Sequence, residues 1–326
     1  MIITRTPLRM SYVGGGSDLP SYYREFGGAV ISTAINKYVY VLVKPRFEKG
    51  VRLSYSIVEN VERACYLKHP IVRNALDILQ INDNIEIVSM ADIPSSGTGL
   101  GSSSSFTVGL LNALLAYKGQ KRSTGEIAEL ACKLEIELCA SPIGKQDQYA
   151  AAFGGLKTYK FNRDDTVTIE SVALSSDMVN KLNRETIVFY IGGERSANTI
   201  LKEQSLALES NEKSNSMAKM TGLVWALKKE LESGSTDNFG KIMHENWELK
   251  RKLTSAISNQ YIDNIYSQAI NSGATGGKLL GAGGGGFMIF HVPNESTRSQ
   301  VKKRLSQLRH VDFRLEDSGS SIIFYQ

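Results

Sequence analysis

Between Pro94 and Ser105 the chain carries glycines at 97, 99 and 101, Leu100 between the last two, and serines at 102 to 105. Glycines let a backbone come close to a ligand and turn several N–H groups inward, and a helix opening just after them adds partial positive charge. Serine hydroxyls add donors and a candidate Mg²⁺ ligand. Pro94, Gly97, Gly99, Leu100, Gly101, Ser102, Ser103 and Ser104 therefore read as a phosphate cradle. No Gly-Lys-Ser/Thr closes the loop, so it is not a Walker A motif, and the glycine spacing is not the G-x-G-x-x-G of a dinucleotide fingerprint. A plain linker is the alternative, and it fits poorly with a segment held between a strand and a strongly apolar helix.

Two further loops share this character. Near the N-terminus, Arg9 is followed by Gly14, Gly15 and Gly16 and then Ser17 and Asp18, a set suited to hydroxyls and phosphate; a tight turn with a surface aspartate explains it about as well. Gly281 to Gly286, interrupted only by Ala282, implies close approach of the backbone to a ligand or to another loop, or else a mobile surface loop. The acidic candidates are Asp147, in the run Lys145-Gln146-Asp147, and Glu135 and Glu137 on either side of a helical apolar stripe. A phosphoryl-transfer enzyme needs one acid for Mg²⁺ and often another for the attacking hydroxyl. Spacing alone does not choose between the two glutamates.

The elements that must position these groups are legible as a pattern. Ala29 to Ile35 and Tyr38 to Lys44 read as a hairpin turning at Asn36 and Lys37, and Ile85 to Met90 as a strand. Helices are expected over Ile71 to Leu79, over Ser104 to Tyr117, and from a Ser123/Glu126 capping box to Pro142. Strands follow at Leu156 to Phe161 and Val167 to Val172, then a break near Asn183 to Glu185 and a strand from Thr186 to Ile191. The chain is mainly helical from Ser196 to Asn271, and closes with a strand at Phe287, a helix near Thr297, and strands at Val311 to Leu315 and Ser321 to Tyr325. This order suits an α+β fold of two units, 1–183 and 184–326, better than one doubly wound sheet.

Composition narrows the class. With 42% hydrophobic and 22% charged residues, the 326-residue chain can build a sizeable core. No apolar run reaches membrane-span length and no signal peptide is visible, so no membrane partner is expected. A net charge of +5 is mild, and the basic run Lys302 to Arg309 has the apolar face of an amphipathic helix, so no nucleic-acid partner is expected. Three cysteines without paired spacing fit a reducing, cytoplasmic setting. The four histidines show no metal-ligand spacing.

In order and spacing, the three loops resemble the three signature motifs of the GHMP kinases, Pro94 with Gly99-Leu100-Gly101-Ser102-Ser103 being the most specific. The resemblance covers nearly the whole chain. It implies the GHMP kinase fold, an N-terminal domain like ribosomal protein S5 domain 2 and a C-terminal ferredoxin-like domain, with ATP and Mg²⁺ in the cleft between them. It further implies that Ser103 and Glu135 hold Mg²⁺, Glu135 being chosen by its distance from Pro142. Asp147 falls at the family's catalytic aspartate, Arg9 at the arginine beside the attacking hydroxyl, and Gly283 and Gly284 near the substrate.

Galactokinases carry Glu-His where this chain has Gly15-Gly16, which argues against galactose. Gly14 to Pro20, Ala34 to Tyr38, Gln146 to Gly155 and Gly192 to Asn198 are similar to the D-glycero-D-manno-heptose 7-phosphate kinases of bacteria. Those enzymes phosphorylate the anomeric hydroxyl to give a 1,7-bisphosphate. This resemblance implies a small-molecule sugar phosphate bound by Gly15, Gly16, Ser17, Asp18 and Gln146, with Lys145 or Arg195 on its distal phosphate. A fucokinase-like or other anomeric sugar kinase is the alternative within the family, and a ligand-binding regulator that has lost catalysis the alternative outside enzymes. The oligomeric state is left open, a homodimer included.

Overall fold

The computed structural model describes residues 1–93, 98–193, 197–208 and 210–326. Pro94, Gly97 and Arg195, expected in the site, lie outside the described residues.

A first sheet is built around two long strands, β1 (Ile2–Val13) and β2 (Gly28–Pro45), joined through the short helix α1 (Pro20–Phe26). It runs β12-β1-β2-β5-β3-β4, with β6 and then β7 attached to the other half of β2. Here β3 is Val51–Ser54, β4 Val58–Val61, β5 Ile85–Ala91, β6 Leu156–Phe161, β7 Val167–Ser171 and β12 Ser321–Tyr325. The hairpin expected over residues 29–44 is instead the single strand β2. Pro7 faces Tyr38 and the next residue, Leu8, faces Ile35, so Asn36 and Lys37 form a bulge. The bulge is tied down by Asn36, which exchanges bonds of 3.0 and 2.8 Å with Arg314. A polar pair without glycine makes an extra loop of chain rather than a tight turn.

On this sheet lie α2 (Pro70–Ile78), α3 (Ser102–Tyr117), α4 (Thr124–Cys132) and α5 (Gln146–Phe153). Helix α3 is apolar on nearly every side and accordingly buried between β1, β2 and its neighbours. Leu110, Leu111 and Leu114 are fully buried, and each stabilises the fold by about 1.5–3 kcal/mol relative to exposure. The capping box at Ser123 and Glu126 is formed as expected. Beyond α4 the chain continues in a wider π-helical turn, Lys133–Leu138, which carries Glu135.

The break expected at Asn183 is instead a helix, α6 (Ser176–Glu185), capped by Ser175 and leading directly into β8 (Thr186–Gly192). The second sheet runs β11-β8-β10-β9, with β9 Gly276–Leu279, β10 Gly286–His291 and β11 Arg309–His310. Val311 to Leu315 is not a strand; it leaves the second sheet, and only Leu315 bridges, to Ile35 in the first. Helices α7 (Ala197–Ala207), α8 (Asn211–Glu232), α9 (Phe239–Lys250), α10 (Gln260–Asn271) and α11 (Glu295–Arg304) complete this part. Helix α9 packs on β9 and also reaches β1, and α8 touches β1 and β2, so these two helices join the sheets. No helix among the described residues is long and apolar enough to cross a membrane.

One buried polar group closes entirely on itself. The Glu185 carboxylate accepts from Thr236 Oγ1 at 2.6 Å and lies 3.1 Å from His291 Nε2, while His291 Nδ1 and Thr275 Oγ1 are 2.6 Å apart. Burial pulls the His291 imidazole down from its usual range, with Glu185 acting against that shift.

Candidate active site

Helix α3 begins where Gly99 and Gly101 adopt φ of +73° and +74°, so the chain turns sharply out of the central loop and into the helix. A side chain at Gly99 would meet the Leu280 carbonyl at 2.3 Å, and one at Gly281 would meet Gly99 Cα at 2.4 Å. The central and third loops are thus packed glycine on glycine. Of the alternatives for the third loop, the structure shows close approach to other backbone. Gly283 lies against Ile257 and Gly285 against Gly192 and Gly193.

Beneath these loops is a cavity of ≈ 270 Å³, just under the ~300–1,000 Å³ usual for small-molecule sites. Arg9, Gly16, Asp18, Gly99, Gly101, Ser102, Ser103, Ser104, Glu135, Gln146, Asp147 and Gly283 line it, so residues from four distant stretches meet as the three loops suggested.

The arrangement of charge is specific. Arg9 grips Asp147 with two parallel bonds, Nε to Oδ1 at 2.7 Å and Nη2 to Oδ2 at 2.6 Å, and gives Nη1 to the Gly99 carbonyl at 2.6 Å. Its side chain is 4% exposed against 23% for Asp147, so the carboxylate faces the cavity and the guanidinium stands behind it. Each carboxylate oxygen keeps a lone-pair site for a hydroxyl. Asp147 sits in the first turn of α5, where the helix dipole favours its charge.

Asp18 accepts the Gly16 and Gln146 amides at 3.0 and 3.2 Å, and Gly144 makes room for it, since a side chain there would meet Oδ2 at 2.0 Å. Burial raises its carboxyl above the ordinary range and nearby Asp147 adds to this, against the amide bonds. Glu135 is 1% exposed. It accepts from Ser103 Oγ and Gln148 Nε2, each at 2.7 Å, and burial raises it despite these donors. A buried carboxylate with a serine hydroxyl beside it, at a phosphate-type loop and with no cation on it among the described residues, fits a hard divalent ion such as Mg²⁺ whose other ligands are phosphate and water. No group of three or more His, Cys, Asp or Glu among the described residues forms a complete metal cage.

Several expected residues stand elsewhere. Lys145 does not line the cavity: its ammonium gives a 2.8 Å bond to the Asp165 carbonyl and lies over the Tyr23 ring, which offer it partners on the outer side of the loop. Ser17 is fully buried, exchanging bonds with the Ala29 backbone, and pins the first loop to β2. Gly15 and Gly284 do not line the cavity; the Gly15 carbonyl accepts from Lys250 and the Gly284 amide donates to Ile257. Leu100 is buried, and its carbonyl accepts the Arg9 amide at 3.0 Å.

Lys250 and Gln148 are missing from the expectations. Lys250 closes α9, lines the cavity and is only 3% exposed. Its signal was present: Met243, Asn246, Trp247 and Lys250 share one helical face, and the two polar members of a buried stripe invite explanation.

Residues 61–155 match the GHMP kinases N terminal domain and residues 225–310 the GHMP kinases C terminal domain. The chain is similar to D-glycero-alpha-D-manno-heptose 7-phosphate kinase of Campylobacter jejuni, 28% identical over 98% of this chain and 97% of that protein. It is also similar to the bifunctional fucokinase/GDP-fucose pyrophosphorylase of Arabidopsis thaliana, 27% identical over 94% of this chain but only 31% of that longer protein. Among solved structures, a D-glycero-D-manno-heptose 1-phosphate kinase from Bacteriodes thetaiotaomicron superposes with a TM-score of 0.82 over 100% of both chains at 23% identity, a likeness of fold. With both domain models matched, the α+β architecture shared and the loops gathered on one cleft, the chain belongs to the GHMP kinases, phosphotransferases that act on an alcohol acceptor.

Proposed function

We propose that the chain is an ATP-dependent sugar 1-kinase that phosphorylates the anomeric hydroxyl of D-glycero-D-manno-heptose 7-phosphate to the 1,7-bisphosphate. The observation that carries the reading is the Arg9–Asp147 fork facing a cavity roofed by the glycine loops, together with similarity to a heptose 7-phosphate kinase along nearly its full length. The residues from Pro94 through Ser104 take the ATP phosphates, Gly97 to Gly101 by backbone and Ser102 to Ser104 at the helix N-terminus. Ser103 and Glu135 would hold Mg²⁺, which when bound offsets the charge on the phosphates. Gly16, Asp18 and Gln146 face the sugar hydroxyls. Arg195 is left as the expected partner of the distal phosphate, since Lys145 is turned onto Asp165.

In the reaction the anomeric oxygen forms a bond to the γ-phosphorus as the bond to the β–γ bridging oxygen breaks, and that electron pair leaves with ADP. Asp147 accepts the hydroxyl proton. Arg9 fixes the carboxylate so that an oxygen lone pair meets the hydroxyl, and positioning of this kind supplies most of the catalysis in phosphoryl transfer. The free thiols of Cys65, Cys132 and Cys139 fit a cytoplasmic setting.

A fucokinase-like activity is the second reading, favoured by the similarity over 94% of this chain to the bifunctional plant enzyme. ADP release with Mg-ATP and heptose 7-phosphate, fucose, mannose or galactose separates them. Turnover with heptose 7-phosphate alone is the expected result. Turnover confined to an unphosphorylated sugar replaces the heptose reading, and ATP binding without turnover replaces the kinase reading by a regulatory one.

A further inference from the structure

Lys250 is the second cation of the cleft, and nothing in the motif pattern points to it. Its ammonium donates to the Gly15 carbonyl and the Gly281 carbonyl, both at 3.2 Å. The first belongs to the acceptor-side loop, the second to the loop packed on Gly99 of the phosphate cradle. Lys250 therefore stands where the two substrates' reacting ends would meet. An ammonium has three N–H groups. Two are used on carbonyls, and among the described residues no third acceptor takes the last.

The surroundings are built for another oxygen-bearing group. A carbon placed on Gly15 would lie 3.4 Å from Ser11 Oγ, 3.6 Å from Lys250 Nζ and 3.9 Å from Gln146 Nε2, so three polar tips converge on one spot. Ser11 Oγ and Gln146 Oε1 are buried and find no hydrogen-bond partner among the described residues. Around the ammonium stand Asp18 from the first loop, Arg9 from β1, Asp147 from α5 and Lys278 from β9. Lys278 gives a 2.8 Å bond to the Ser11 carbonyl, and burial holds its amine far below the ordinary lysine range.

We propose that Lys250 is a further catalytic residue, donating its remaining N–H to an oxygen of the phosphoryl group in transit between the two loops. The inference rests on the kinase reading of this cleft. A donor fixed beforehand by two carbonyls needs no reorganisation when charge develops on the transferring group, and one such donor typically contributes about 10²–10³-fold in rate. Arg9 spends three of its N–H groups on Asp147 and Gly99 and is held as the partner of the carboxylate, whereas Lys250 is bound only to backbone carbonyls and presents its charge uncompensated by a paired carboxylate. Burial brings the ammonium down to about 8, with Asp18 and Asp147 opposing that shift and Arg9 adding to it. The charged form is therefore lost in the mildly alkaline range.

The test is steady-state kinetics on the full chain, wild type beside Lys250→Gln and Lys250→Met, with nucleotide-analogue binding and thermal melting measured on each. The expected result is a fall in kcat of about 10²–10³-fold in both variants, with analogue affinity within about threefold of wild type and melting preserved. The wild type should also lose kcat/KM for nucleotide above about pH 8, a limb absent from the variants. A Lys250→Gln enzyme within about fivefold of the wild-type kcat overturns the proposal. So does a wild-type profile flat to about pH 9.5, a result that does not depend on any variant folding. Absence of turnover in the wild type with every sugar would instead count against the kinase reading itself.

Discussion

Two buried polar groups, the Arg9–Asp147–Asp18–Lys250 set in the cleft and the Thr236–Glu185–His291–Thr275 set behind the second sheet, follow opposite logic. In the second, the carboxylate and both ring nitrogens have partners within the group. Buried polar groups satisfied in this way fix how elements dock. In the first, the Asp18 carboxyl is raised, a lysine is lowered, Ser11 and Gln146 keep unpartnered atoms, and Asp147 faces open space. Charge strained towards its neutral form around a cavity marks a site awaiting its ligand. The closed group serves the fold, and the open group is the one proposed for the reaction.

The comparison breaks most sharply at Asp147. Asp147→Asn keeps shape and a partner for Arg9 but cannot take a proton; kcat should fall about 10²–10⁴-fold while the urea midpoint moves little. If kcat holds, the open group is not the reaction centre. Next, Glu135→Gln should raise the Mg²⁺ concentration needed for half-maximal turnover by about tenfold or more, read from a Mg²⁺ titration at fixed ATP. An unchanged titration would take Glu135 out of the metal role. In the closed group, His291→Ala leaves Glu185 and Thr275 short of a buried partner and should cost about 1–3 kcal/mol in urea unfolding with kcat unaltered. A kinetic effect there would erase the distinction between the two groups.

The smallest effect is also the most discriminating, because the two groups respond to acid with opposite sign. The native Asp18 carboxyl sits above its unfolded value of 3.8, so the folded state holds the proton longer and acidification towards that value favours folding. The native His291 imidazole sits below its unfolded value of 6.5, so the unfolded state binds more protons and stability is lost as pH falls through 6.5. Asp18→Asn should remove the gain in stability that the carboxyl gives as pH falls towards 3.8, and His291→Ala should flatten the loss as pH falls through 6.5, each by less than about 1.4 kcal/mol per pH unit. Identical slopes in both variants and wild type would show that neither group titrates as placed.

What the sequence made legible follows the same division. Glycine runs between periodic elements announced all three loops, the capping box at Ser123 appeared as read, and the apolar helix expected over Ser104 to Tyr117 is present and starts two residues earlier, at Ser102. The bulge at Asn36 and Lys37 was hidden because a strand interrupted by two polar residues looks like two strands until its partner is known, and that partner is β1, nearly thirty residues upstream. Helix α6 was hidden because only Met178 and Leu182 of its ten residues are buried, too thin a stripe to outweigh its polar run. Lys250 was hidden for the opposite reason: a lysine ending a helix ordinarily serves its dipole in water, and only the return of the first loop beneath it makes it an interior cation.

The pairing of β12 with β1 has its own consequence, since Ile2 faces Tyr325 across the first sheet. During translation β1 is made first, and one side of it stays without its neighbour until residues 321–325 have left the ribosome. A bare strand edge is a template for any other extended chain. Nascent molecules on one polysome would carry that bare edge side by side, so partly made chains are the ones most open to pairing with one another.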